Sequence, residues 1–181
     1  MDLKVLSPQE LERLSQEAIA KRDVAELYRL LEHYRQIGAL EEEAALGTHI
    51  LTLSLDHLAQ RLLSQEPFDL EDPLDRSIVR GVYEHALERW ERGDMAGAKE
   101  LFLSLIPLVD EPALSKGLLL ALALSAQGEP LQRFVEEFVD LDALDPGSIF
   151  FNAFTPAADN YLTQARQIIE AELERTRKWN Q

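Results

Sequence analysis

Cysteine is absent from the 181-residue chain. That removes disulfide frameworks, thiolate zinc sites and thiol nucleophiles together, and it suits a reducing compartment. Basic residues are few: 18 Lys and Arg stand against 33 Asp and Glu, a formal net charge of −15. Such a surface repels phosphate backbones and anionic headgroups, so nucleic acid and membrane surfaces are not expected as ligands, whereas a basic or amphipathic polypeptide is attracted. The plain alternative is that the acidity serves solubility. Long apolar runs are missing as well. The longest, Leu118 to Ala126, is far short of the roughly twenty residues that span a bilayer. The opening MDLKVLSPQE lacks the basic stretch and apolar core of a signal peptide, so a cytoplasmic location is the expectation.

Patterns that carry chemistry are equally scarce. His33, His49, His57 and His85 form no His-x-x-x-His or His-Glu-x-x-His pair, so each reads as an ordinary helix residue. Asp69, Glu71, Asp72 and Asp75 alternate as calcium ligands can, but the loop has neither the central glycine nor the closing glutamate of an EF-hand and reads as a solvated acidic linker. There is no Gly-x-Gly-x-x-Gly, no phosphate-binding Gly-Lys-Ser/Thr and no Gly-x-Ser-x-Gly elbow. Neither an enzyme, a metal site nor a cofactor is expected.

Helical periodicity is abundant. Hydrophobic residues make up 46% of the chain and charged residues 28%, enough apolar side chain to offset the entropy lost on folding, and the sparse β-branched content favours helix. Ser7-Pro8-Gln9-Glu10 is a capping box with proline at the first helical position. A helix to about Lys21, an Arg22-Asp23 turn and a second helix ending at Gly38 make one hairpin. The spacing predicts one long helix over 39–65, with Gly47 tolerated inside it. Residues 1–65 are thus an N-terminal helical segment, and 66–77, with two prolines and several carboxylates, an acidic linker.

The central run from Ile78 to Asp110 is a second hairpin. Ile78, Val82, Leu87 and Trp90 precede a Gly93-Asp94 turn, and Ala98, Leu101, Phe102, Leu105 and Ile106 follow it at helical spacing. Ala86 to Ala121 and Gly93 to Gly128 are each 35 residues apart, so 78–146 reads as two adjacent repeats, the second helix of the latter running up to Asp145-Pro146. Residues 147–181 hold an aromatic stretch, Ile149 to Phe154, and one terminal helix from Pro156 that ends in Arg175, Arg177 and Lys178 and serves as a cap for the stack. Phe150, Phe151 and Phe154 are either a contact patch or a loop folded back on the core.

Ala86, Gly93, Asp94, Ala98 and Phe102 lie at offsets that resemble the tetratricopeptide repeat. The resemblance implies an all-α fold of stacked antiparallel helix hairpins, about eight helices with the capping helix included. It also implies a concave side lined by the first helices of successive repeats. On that side it sets Arg80, Tyr83, Leu87 and Trp90, with Gly117, Ala121 and Leu124 from the following repeat. Small residues opposite aromatics make a pocket for an extended peptide or amphipathic helix. The competing reading of Tyr83 and Trp90 is core packing. Acidity, size and the flanking helices are further similar to the chaperones that hold translocator proteins before type III secretion. That likeness implies a client segment in the groove and dimerisation through the N-terminal helices. The expected function is a non-enzymatic adaptor or chaperone for another protein; the alternatives are an obligate structural subunit and a helical-bundle metal protein or enzyme.

Overall fold

Capping chemistry sets most helix boundaries in the computed structural model, which describes residues 6–177. In α1 (Pro8–Lys21), Ser7 Oγ accepts from the Glu10 N–H and Glu10 accepts in return from the Ser7 N–H at 2.8 Å, a complete capping box. Arg22 ends α1 in the left-handed conformation, and Asp23 caps α2 (Val24–Ile37) by accepting from the Glu26 N–H. Gly38, at φ 72°, ends α2, since glycine takes positive φ without a Cβ penalty. The helix α3 (Leu40–Ser64) runs unbroken through Gly47, where an added Cβ would meet only Leu31 Cδ1 at 3.9 Å. Next come α4 (Pro73–Glu91), α5 (Met95–Leu105) with a 3₁₀ turn (Ile106–Leu108), and α6 (Pro112–Ala126). Short α7 (Leu131–Arg133) passes into a π turn (Phe134–Phe138), and α8 (Pro156–Gln164) and α9 (Arg166–Arg177) close the chain. The fold is all-α, with helices packed in consecutive pairs; among the described residues the extended pairing is confined to two isolated bridges.

Contacts divide the chain into two compact units. The first draws on Met1–Ser64 and Asp69–Val82, the second on Gln65–Phe68 and Tyr83–Gln181. The division thus falls inside α4, whereas the sequence suggested a linker over 66–77; α4 already begins at Pro73.

In the first unit, α1 and α2 pair and α2 lies along α3, burying Leu11, Val24, Leu27, Leu30, Leu46, Ile50 and Leu58. The carboxylates expected to be solvated are largely engaged. Asp75, 7% exposed, accepts from Arg61 at 3.0 and 2.9 Å and from the Asp69 N–H at 2.9 Å. Asp72 accepts from the Leu74 and Asp75 N–H groups at the start of α4. A buried acceptor left unpaired would cost more than these bonds return, so the acidic spacing is explained by local backbone needs. Among the described residues no group of three or more His, Asp or Glu side chains could hold a metal ion.

In the second unit α6 is buried nearly all round, with Leu114, Leu118, Leu120, Leu122 and Leu124 each at or below 1% exposure. A helix apolar on every side belongs at the centre, and α5, α8 and α9 pack on it. Two boundaries depart from expectation. The helix expected to reach Asp145 stops at Phe138, because Val139 leaves it to bridge Phe154 and the Thr155 N–H donates to Phe138 O at 2.9 Å. The single terminal helix is two, broken at Ala165, which is 3% exposed in a cluster with Leu103, Leu122, Ala123 and Ile169. Lys178, the last cation of the expected basic end, lies outside the described residues. No helix among the described residues is long and apolar enough to cross a membrane.

Candidate functional site

The turn between α4 and α5 fixes the geometry of the candidate face. Gly93 has φ 83°, and Asp94 caps α5 by accepting from the Gly97 N–H at 2.9 Å while Arg89 Nε donates to its other oxygen at 2.7 Å. The Gly97 N–H and the Arg89 guanidinium together hold the Asp94 carboxyl below the usual carboxylate range. Arg89 therefore clamps the turn.

Six of the seven expected partner-binding residues, Tyr83, Leu87, Trp90, Gly117, Ala121 and Leu124, belong to the second unit; Arg80 belongs to the first. There its guanidinium lies 4.0 Å from the Tyr28 ring centroid and 3.4 Å from Glu32, a cation–π and ion-pair role on α2. Tyr83 and Trp90 are each 1% exposed, as is Ala121, and Leu124 is fully buried. Gly117 is buried and Leu87 half-buried. The rings of Tyr83 and Trp90 are thus packed inside the unit, as the core reading expects.

Trp90 is the hub. Its indole meets Phe102 of α5 edge to face at 5.7 Å and Phe134 of the π turn at 5.6 Å, separations at which ring pairs gain beyond their buried area. Its Nε1–H donates to the Glu129 carbonyl at 2.8 Å. The carbonyl it satisfies follows Gly128, which turns the chain at φ 76°.

What covers this face is the chain itself. Residues 148–155 run across it: Phe150 packs edge to face on Tyr83 at 5.4 Å, and Phe151 on Phe134 at 5.7 Å. Phe154 lies 6.4 Å from the Phe134 ring and over Gly117, where an added Cβ would come within 2.8 Å of the ring tip and 3.2 Å of the Phe151 carbonyl oxygen. The Lys116 ammonium sits 5.8 Å from the Phe154 centroid and 2.7 Å from Asp159. Of the two readings of the aromatic stretch, folding back on the core is the one observed. Its fit is incomplete, for the buried Tyr83 hydroxyl has no well-formed hydrogen bond, although the Phe151 backbone lies beside it. Burial pushes that phenol well above its usual range.

Sequence reasoning missed Phe134 and the Glu129 carbonyl. Gly117 in the middle of a leucine-rich helix was the usable signal, since a glycine there implies that something approaches closely. The histidines converge on no site: His33 is buried, His57 and His85 are half-buried, and His49 is exposed.

No family model, curated protein or solved structure compared with the chain matches it.

Proposed function

We propose that this chain is a non-enzymatic protein–protein interaction module, a tetratricopeptide-like adaptor or chaperone of the cytoplasm that holds an extended segment of a client protein. The seat is the face of the second unit built by Tyr83, Gly117 and Phe134, with Trp90 packed beneath it against Phe134. One observation carries the reading: an extended segment, the chain's own residues 148–155, lies on this face with rings set against α4, α6 and the π turn. Rings opposite small residues are what peptide-accepting grooves use, because the rings supply area and the small residues supply depth. The net charge of −15 favours a client that is basic around its apolar segment.

The test is a peptide array probed with the purified full chain, followed by titration of the best sequences against tryptophan fluorescence. Saturable binding, weakened at least tenfold by Gly117→Leu, which fills the notch, supports the reading. A folded chain that binds no arrayed peptide overturns it.

A second reading, a permanent subunit of a larger assembly, draws on the first unit. Leu63 is 87% exposed, Leu40 73% and Ile37 57%, large apolar side chains that an assembly would cover. Light scattering separates the two: a subunit aggregates or self-associates when isolated, whereas an adaptor stays dispersed and is stabilised by added peptide.

A further inference from the structure

We propose that residues 148–155 are a resident ligand, a strap that a client displaces by presenting the same chemistry: an uncharged extended segment with an adjacent aromatic pair and a third aromatic three residues on, as in Phe150, Phe151 and Phe154. This rests on the peptide-binding reading above and names the client class that the seat accepts.

Three observations converge on it. The seat is shaped for rings. Gly117 opens a notch that the Phe154 tip and the Phe151 carbonyl oxygen approach, Phe134 receives both Phe151 and Phe154, and Tyr83 receives Phe150. A segment carrying rings at those three positions reproduces every one of these contacts, while one carrying aliphatic side chains loses the edge-to-face pairs.

The strap is fastened at one end only. Its C-terminal part is pinned by the Val139–Phe154 bridge, by the Asp140 N–H on Ala153 O at 3.0 Å, and by the Thr155 N–H and hydroxyl on Phe138 O and Glu137 O at 2.9 and 2.8 Å. Upstream the Asp145-Pro146-Gly147 turn is exposed, and Ser148 Oγ donates within the strap itself, to Phe150 O at 2.7 Å. A segment with few bonds to its surroundings at one end opens locally at lower free energy than the core beneath it.

The strap is also an imperfect occupant. It leaves the Tyr83 hydroxyl, on a residue 1% exposed, without a well-formed bond, and an unmatched buried polar group opposes the bound state. Phe151 and Phe154 remain half-buried rather than enclosed. An incoming segment with the same rings and free backbone geometry therefore competes on favourable grounds.

The experiment uses the full chain and the variant Thr155→Val, which removes the hydroxyl's bond to Glu137 O at the fastened end and so loosens the strap without touching the seat. The probe is a fluorescein-labelled synthetic peptide of residues 147–156, with a control in which its three phenylalanines are alanine. The strap-loosened chain is expected to bind the probe at least tenfold more tightly than the natural chain, and neither is expected to bind the control. If a folded, loosened chain ignores the probe while the array yields other peptides, the strap proposal falls and the adaptor reading stands. If no peptide of any sequence binds either protein, both fall. A loosened chain that becomes dimeric in light scattering and takes no probe shows exchange of straps between copies, which also overturns the client proposal. Should the variant fail to fold, hydrogen exchange on the natural chain decides. The Asp140 and Thr155 amides are expected to exchange at least a hundredfold faster than those of α6, and exchange at the α6 rate makes the strap part of the core and ends the proposal.

Discussion

Both units are filled mainly with aliphatic side chains, but the second adds a packed cluster of rings, Tyr83, Trp90, Phe102, Phe134 and Phe150, and one buried serine in each unit is answered differently. Between α3 and α4, Ser54 is fully buried with no partner for its Oγ, and an added Cβ at Gly81 would lie 2.4 Å from that oxygen. The helices approach closely there because Gly81 lacks a side chain. In α6, Ser125 is also buried, but its hydroxyl donates to Ala121 O at 2.7 Å and contacts Leu122 O at 3.2 Å. One serine is tolerated for its small size, and the other is satisfied by its own helix. Buried polarity is therefore a poor guide to function in this chain unless the partner is known.

The largest effect that would break this comparison is at Trp90. Removing an indole that is 1% exposed and wedged between Phe102 and Phe134 leaves a cavity that helices cannot fill by relaxing. Trp90→Ala is expected to destabilise the chain by ~3–5 kcal/mol in urea titration. Trp90→Phe keeps a ring and loses mainly the bond to Glu129 O, worth about 1 kcal/mol with the unpaired carbonyl adding to the loss. A cost for Trp90→Ala below that of Trp90→Phe would show that the second unit is not organised around its rings.

A smaller effect sharpens the contrast between the serines. Ser54→Ala deletes an unpartnered hydroxyl and is expected to leave stability unchanged or raise it by up to about 1 kcal/mol, whereas Ser125→Ala is expected to lower it by about 1 kcal/mol. Thermal melts of the two variants side by side check both signs. Equal losses would mean that Ser54 Oγ finds a partner after all.

Local features were legible in the sequence. Ser7, Asp23 and Asp94 cap helices, and Gly38, Gly93 and Gly128 take positive φ, because caps and turns are decided by residues within a few positions of one another. Glu111 was not legible as a cap, since glutamate is uncommon there; it accepts from the Ala113 and Leu114 N–H groups all the same. The premature end of the seventh helix depends on Phe154 and Thr155, which lie fifteen or more positions downstream of Phe138 and Val139, and no local pattern reports such pairing. The site was half legible for the same reason. Small residues on one helix and rings on another announced a pocket, but that the rings of 150–154 fill it is a tertiary fact. Arg80 shows the limit of a repeat offset: it lies one turn before Tyr83 in the same helix, yet it is spent on Tyr28 and Glu32 of the first unit.

The smallest effect distinguishes the units by their histidines. His57 in the first unit and His85 in the second are both held below the ordinary value of 6.5, first by burial and then by a neighbouring guanidinium, Arg22 for His57 and Arg89 for His85. A depressed folded-state pKa means that the unfolded chain binds the proton more readily. The stabilisation from the neutral imidazole is therefore complete above 6.5 and is lost as the pH falls from there toward the folded value. The carboxyls of Glu10 and Asp94 are lowered too, so their contribution fades only in the acid range below the usual carboxylate values and does not overlap this window. His57 also faces the Asp75 and Arg61 pair, whose charges oppose one another at the ring, and its Nε2 is buried without a partner. His85 keeps Glu88 3.9 Å from Nδ1, which softens protonation there. Urea titrations at pH ~7.5 and ~5.5 should show lower stability at the acid value, and His57→Gln should flatten that difference more than His85→Gln. A slope carried equally by both rings, or one of opposite sign, would mean that the orphaned nitrogen of the first unit is wet, and the contrast between His57 and His85 would fall, leaving only that between Ser54 and Ser125.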